Sequence, residues 1–236
     1  MLAGKKALVT GGTRGIGRAV AERLLADGAA VTVTGTKPGG DAPEGCAYAA
    51  IDFADMALTR TFAERMAGQE FDILVNNAGI NKVAPFAEID PADFLRIQEV
   101  NVTAPFLLCR ALVPGMRARG WGRIVNISSI WGKVSKEGRG AYGTSKFALD
   151  GLTAALAAEV AADGVLANCV APGFIDTELT RRVLGEAGIA ELTARVPARR
   201  LGRPEEIAAF VAWLAGPENT FITGQNIAID GGFTRV

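Results

Sequence analysis

This sequence of 236 residues predicts an α/β fold, a parallel sheet wrapped by helices on both faces. Three observations carry that prediction. Seven short β-branched or apolar runs alternate with longer segments of helical period, the pattern of strand–helix–strand units. The run FDILV is apolar almost throughout, as a strand covered on both sides must be. No linker, repeat or low-complexity tract interrupts the alternation, so residues 1–236 read as one domain.

In chain order, the strand KALVT (6–10) enters the turn TGGTRGIG, and a helix pattern covers 15–27. AVTVT (30–34) and AYAAI (47–51) follow as strands, with a helix over 55–68. FDILV (71–75) leads to one long helix candidate, 91–118, and RIVNI (123–127) to a helix over 142–163. VLANCV (165–170), a helix at 204–215 and QNIAID (225–230) complete the series. Residues 177–203 hold no clean strand; their irregularity predicts a segment that covers a cleft.

Composition narrows the function classes. Hydrophobic residues make up 49% and charged residues 21%, as in soluble globular proteins. Lys+Arg (25) balances Asp+Glu (25), which gives no field for nucleic acid or an anionic membrane. The apolar runs are far shorter than a membrane span, and Met1 leads into LAGKKALVTGG without an export-type leader. Cys46, Cys109 and Cys169 are odd in number and widely spaced, so they read as reduced thiols of a cytoplasmic protein, without a metal site or disulfides. There is no histidine, so acid–base chemistry near neutral pH must fall to another group.

The turn after the first strand is the first candidate site. Gly11 permits a tight turn, Gly15 lets the backbone approach a pyrophosphate, and Gly17 lets the helix pack on the strand. The helix N-terminus would then offer free N–H groups to the phosphates. Such turns also occur for backbone reasons alone, but placement after the first strand of an alternating chain favours a nucleotide. The second strand ends in Gly35, Thr36 and Lys37, where an acid would hold a ribose 2′-hydroxyl. A small hydroxyl residue and a lysine, with Arg14 nearby, suit a 2′-phosphate instead. NADP(H) is therefore favoured and NAD(H) is the alternative; solvated surface charge is the bland reading of Arg14 and Lys37.

The stretch AYGTSK places Tyr142 and Lys146 four residues apart, on one face of a helix. Alone, it would suit a partly buried tyrosine with a lysine snorkelling past it. It is accompanied, in order, by TGGTRGIG, NNAG (76–79), EVN (99–101), NISS (126–129) and APGFIDT (171–177). With these six motifs the whole chain resembles the short-chain dehydrogenase/reductase family, and most of all its 3-oxoacyl-(acyl-carrier-protein) reductase group.

The resemblance implies a single-domain Rossmann fold, doubly wound, with a seven-stranded sheet and hydride transfer at its carboxyl edge. It implies a catalytic tetrad of Asn101, Ser129, Tyr142 and Lys146, Ser129 being the serine thirteen residues before the tyrosine. Cofactor contacts carry over to Gly11, Thr13, Arg14, Gly15, Ile16 and Gly17, then Thr36 and Lys37 by the ribose, and Asp52 and Phe53 flanking the adenine. Asn77 and Gly79 would lie beneath the cofactor's middle, Ile175 and Thr177 would hold the nicotinamide amide, and Lys146 the nicotinamide ribose; Ala78, Tyr142, Pro172 and Gly173 complete the implied cofactor contacts. A nearby ammonium favours a phenolate, which suits the tyrosine to general acid/base work.

The expected activity interconverts a ketone and a secondary alcohol, in the manner of a 3-oxoacyl thioester reductase. A sugar, polyol or cyclic alcohol dehydrogenase is the alternative within the family, and a non-catalytic dinucleotide-binding regulator is the alternative outside it. Trp131, Lys133, Lys136 and Arg139 would either present cations to an acidic substrate or form a solvated rim. The family's tetramers form through the helices at 91–118 and 142–163, so a homotetramer is expected.

Overall fold

A computed structural model describes the backbone of residues 1–236 and every side chain but those of Leu179, Val183 and Leu184. Seven strands form one sheet: β1 (Lys6–Val9), β2 (Ala30–Gly35), β3 (Ala47–Ala50), β4 (Ile73–Asn76), β5 (Gly122–Ile127), β6 (Val165–Pro172) and β7 (Asn226–Ile229). All pairings are parallel, in the order β3-β2-β1-β4-β5-β6-β7. The chain winds outward from β1 to β3 and then returns to start β4 on the other side. Ligands of such sheets bind where the order reverses, beyond the carboxyl ends of β1 and β4.

The helices are α1 (Gly15–Ala26), α2 (Met56–Ala67), α3 (Pro91–Gln98), α4 (Ala104–Ala118), α5 (Gly140–Val160), α6 (Glu178–Ala194) and α7 (Pro204–Leu214). Successive strand side chains point to opposite faces, so one strand feeds two cores. Val9 and Val33 pack with Val20 and Leu24 of α1 and Ile207 and Val211 of α7. Leu8 and Leu74 pack on the other face with Phe62 and Met66 of α2, Leu108 and Leu112 of α4, and Val160 of α5. Local chemistry sets the helix starts. Asp55 accepts from the backbone N–H of Ala57 and Leu58 at 3.0 Å, and Asp90 from Ala92 at 2.8 Å. Pro91 and Pro204 open their helices, where a missing N–H costs nothing.

Two elements depart from the sequence expectation. The helical stretch 91–118 is not one α-helix, because Glu99–Thr103 forms a π turn in which the Ala104 N–H reaches back five residues to the Glu99 carbonyl. Pro105 is the physical reason: it has no N–H for the Asn101 carbonyl, and its ring clashes there in α geometry. Residues 178–194, read as irregular, are helical as α6. Thr177 caps it by accepting from the Thr180 N–H at 3.2 Å, and Gly185, at φ 62° and ψ 179°, breaks it midway. That break interrupts the period that would otherwise mark a helix. No helix among the described residues is long and apolar enough to cross a membrane.

Candidate active site

The glycine turn joins β1 to α1 at the reversal point. Gly11 (φ 65°) and Gly15 (φ 54°) occupy left-handed backbone, where any side chain is strained. A Cβ on Gly17 would lie 2.3 Å from the Gly11 carbonyl oxygen and 2.4 Å from Asn77 Nδ2, so only glycine lets α1 start this close. Asn77 fixes the turn from β4: its Nδ2 donates to the Thr10 and Gly11 carbonyls at 3.0 and 3.1 Å. Thr10 Oγ1 returns the grip by accepting from the Asn77 and Ala78 N–H groups at 2.9 and 3.0 Å.

Arg14 sits at the N-cap of α1 in extended backbone and its side chain does not cap the helix; the first turn contains no acid. The N–H groups of that turn face the crevice without a competing carboxylate, which fits a pyrophosphate. Thr177 closes the other wall, its Cγ2 only 3.6 Å from where a Gly15 Cβ would stand.

Thr36 and Lys37 are exposed just past β2, and Tyr48 Oη donates to the Lys37 carbonyl at 2.5 Å, which anchors the loop. Arg18 pairs with Glu22 and Asp41, whereas Arg14 and Lys37 make no ion pair among the described residues. Two unengaged cations with no acid at the strand end fit an extra phosphate on the adenosine ribose. Asp52 is exposed, but the Phe53 ring does not share its place. It is buried edge-on against Phe62 in the core, 5.9 Å between centroids. Ile16 likewise packs its side chain against the core beneath α1.

Asn101, Ser129, Tyr142 and Lys146 converge at the carboxyl ends of β4 and β5. Asn101, 1% exposed within the π turn, grips Ile80 at both backbone atoms, accepting from its N–H and donating to its carbonyl at 2.9 Å each. The same amide donates to Ser145 Oγ at 3.0 Å, and Ser145 donates to the Tyr142 carbonyl at 2.7 Å. Lys146, 4% exposed, donates to the Ile127 carbonyl at 2.8 Å, and its Nζ lies 5.5 Å from the Tyr142 ring centroid. A lysine has three donors, so two remain for other partners.

Gly79 is the near neighbour of both: a Cβ there would be 3.3 Å from Asn101 Oδ1 and 3.7 Å from Lys146 Nζ. The two serines of NISS separate cleanly. Ser128 Oγ is turned away and donates to the Lys146 carbonyl at 3.3 Å; Ser129 Oγ accepts from the Trp131 N–H at 3.2 Å. The Ser129 hydroxyl proton is therefore not engaged by that bond. Gly132 is obligatory, since a Cβ would lie 2.8 Å from both the Lys146 carbonyl oxygen and Ser128 Oγ.

At the carboxyl end of β6, Pro172 ends the strand and the Gly173 N–H donates to the Ile229 carbonyl at 2.9 Å. Ile175 is buried and bridges to Gly202, with the Asp176 N–H donating to the Gly202 carbonyl at 2.7 Å. Burial pushes the Cys109 and Cys169 thiols up to about 12, so neither is a nucleophile at neutral pH. Thr10 and Ser145 escaped sequence reasoning. Each lies inside a quoted motif, but its partner is supplied by another element.

A family model described as enoyl-(acyl carrier protein) reductase matches residues 11–234. The chain belongs to the short-chain dehydrogenase/reductase family. It is similar to the 3-oxoacyl-(acyl-carrier-protein) reductase FabG of Vibrio cholerae, 42% identical over 244 residues that cover 100% of this chain and 99% of the other. Similarity to the acetoacetyl-CoA reductase of Cupriavidus necator is 38% over 96% of both chains. Among solved structures, a gluconate 5-dehydrogenase from Burkholderia cenocepacia, in complex with NADP and tartrate, superposes with a TM-score of 0.90. That protein is 33% identical, and the match covers 100% of this chain and 97% of the other. The present family member is an oxidoreductase, and its seven-stranded doubly wound sheet is the family's.

Proposed function

We propose that this oxidoreductase interconverts a ketone of the 3-oxoacyl type and its secondary alcohol with NADP(H), with Tyr142 as the proton donor and acceptor. The observation that carries the reading is the Lys146 ammonium, buried and 5.5 Å from the Tyr142 ring. The nicotinamide nucleotide, when bound, supplies or accepts the hydride. Tyr142 Oη gives its proton to the substrate oxygen in reduction and takes it back in oxidation. Lys146 favours the resulting phenolate by charge and offers its free donors to the nicotinamide ribose. Ser129 Oγ donates to the substrate oxygen and orients it, and Asn101 holds the π turn and Ser145 in the arrangement that supports Lys146.

Gly11, Thr13, Gly15 and the N-terminus of α1 hold the pyrophosphate; Arg14, Thr36 and Lys37 take the 2′-phosphate. Asp52 and the Phe53 backbone border the adenine; Ala78 and Gly79 lie beneath the cofactor, and Gly173, Ile175 and Thr177 beside the nicotinamide amide. Residues 177–203 cover the substrate. Acetoacetyl thioesters reduced with NADPH, followed at the reduced-nicotinamide band, test the reading. No oxidation of NADPH with any ketone would leave the dinucleotide-binding regulator.

One observation favours a second substrate reading within the family, a sugar acid: the stretch of chain between Ser129 and Tyr142 carries the cations Lys133, Lys136 and Arg139, the last with its Cζ 5.7 Å from the Trp131 ring centre. We also propose a cytoplasmic homotetramer. On α5, Phe147 is 47% exposed, and Ala148, Gly151, Ala154, Ala155 and Ala158 lie exposed along one face, a small-residue surface that allows close helix approach. A monomeric mass by light scattering at micromolar concentration would overturn it.

A further inference from the structure

The chain has two tyrosines, and the one outside the catalytic centre reaches to the loop that follows β2. Tyr48 lies on β3, in register with Val33 of β2, and its ring packs against the core beneath α1. Its Oη donates to the Lys37 carbonyl at 2.5 Å. The loop folds closely over the phenol: a Cβ on Gly40 would stand 2.4 Å from Tyr48 Oη and 2.6 Å from Cζ, and one on Gly35 would stand 2.9 Å from Oη. Arg18 of α1 holds the far end of the same loop, donating to the Asp41 carboxylate at 3.0 Å and to the Asp41 carbonyl at 3.4 Å. That guanidinium also donates to the Thr13 carbonyl at 3.4 Å, and a Gly35 Cβ would stand 2.9 Å from Thr13 Cγ2. The loop is thus fastened at both ends and lies against the glycine turn. Pro38, Gly39 and Gly40 run between the fastenings, and their glycines would otherwise leave the backbone free.

We infer that Tyr48 is a positioning residue for cofactor selection: by fixing the Lys37 backbone it holds that lysine ready for an adenosine 2′-phosphate, and so favours NADP(H) over NAD(H). The reason is conformational. A lysine is a point charge on a flexible stem, and its contact with a phosphate gains most when its base is fixed before the ligand arrives. Without the anchor, the glycine-rich loop would have to be ordered on binding, which weakens the complex. NAD(H) has a hydroxyl in place of that phosphate and gains nothing from an ordered Lys37. The phenol proton is already engaged by the Lys37 carbonyl, so Tyr48 acts through the lysine rather than by donating to the phosphate. The inference rests on the assignment of Lys37 to the 2′-phosphate.

The test reads binding without turnover. The unaltered protein and Tyr48→Phe are titrated calorimetrically with adenosine 2′,5′-bisphosphate, 5′-AMP, NADP+ and NAD+. Phenylalanine keeps the ring against the core and removes only the anchoring hydroxyl. Loss of one hydrogen bond corresponds to about 3- to 10-fold in affinity, so Tyr48→Phe should weaken the bisphosphate and NADP+ by about that factor and leave 5′-AMP and NAD+ level. An equal loss for all the ligands would reduce the phenol to a support of the sheet edge and overturn the inference, as would no loss for any. Either outcome leaves the cofactor assignment standing where the unaltered protein binds the bisphosphate more tightly than 5′-AMP. Equal affinities for that pair in the unaltered protein would remove the 2′-phosphate site from this loop, and the inference with it. A loss confined to the 2′-phosphorylated ligands, in a protein that oxidises NADPH with no ketone, would uphold the inference and overturn only the reductase reading.

Discussion

Asn101 and Tyr142 are joined through a single hydroxyl: Asn101 Nδ2 donates to Ser145 Oγ at 3.0 Å, and Ser145 donates to the Tyr142 carbonyl at 2.7 Å. The π turn and the start of α5 therefore move as one body. Ser145 is buried, and its one hydroxyl both accepts from Asn101 and donates to the Tyr142 carbonyl.

Ser145→Ala should expose that dependence. Losing a buried link and leaving one amide hydrogen of Asn101 unmatched costs about 1–3 kcal/mol, read from urea unfolding. The kcat should fall while the Kd for NADPH changes little. An unchanged kcat would show that Asn101 needs no such tether.

Tyr142→Phe keeps the ring and its packing but removes the transferable proton. A positioned acid–base group contributes on the order of 10²–10⁴-fold, so kcat should drop by at least about that factor. Fluorescence titration should still show NADPH binding. Near-normal turnover in the folded variant would move the proton donor elsewhere.

Gly17→Ala tests the crowding at the turn. Its methyl would overlap the Gly11 carbonyl oxygen at 2.3 Å and Asn77 Nδ2 at 2.4 Å, two atoms that cannot yield separately. Overpacking of this kind costs about 1–3 kcal/mol, and NADPH affinity should fall with it. Wild-type affinity in that variant would mean that α1 can retreat from β4.

Cofactor preference should follow the two unengaged cations. Lys37→Glu places an acid at the end of β2, and kcat/KM for NADPH relative to NADH should fall at least about tenfold, the loss of one charge-assisted contact. No change in that ratio would place Lys37 in solvent in the complex as well.

Glu206 contributes to the acid-dependent part of stability. The Arg200 guanidinium, at 2.7 and 2.8 Å, and the Arg203 N–H, at 2.7 Å, hold its carboxyl down to about 2. A lowered carboxylate stabilises the fold fully above the ordinary carboxylate range and loses that contribution as the pH falls towards about 2. Glu206→Gln should therefore flatten the decline of Tm between about pH 5 and pH 2. A decline as steep as that of the unaltered chain would assign the acid sensitivity to other carboxylates.

The strands were legible because each is an apolar run between turns, and β4 and β5 have no exposed position to break the pattern. The glycine turn and the Tyr142–Lys146 spacing were legible because their chemistry is local. Contacts between elements were not: nothing near Asn101 in the chain announces Ile80, and nothing near Thr10 announces Asn77. Phe53 was assigned by its neighbour Asp52, yet adjacent residues beyond a strand face opposite ways, and its ring chose the core. The break at Gly185 masked α6, and the π turn was not legible either, since the period of 91–118 runs on as one helix and Pro114 sits within regular α4 without such a turn.

That π turn is also a phase shift. It holds one residue more than the same stretch of α-helix, so α4 runs about 100° out of step with α3 relative to an unbroken helix. Deleting one residue from Glu99–Thr103, with Pro105 replaced, would return the stretch to regular hydrogen bonding. Asn101 would then swing off Ile80 and Ser145, and the helix would be sounder for it. The surplus residue is a local defect kept beside Asn101, at the expense of one continuous helix from α3 through α4.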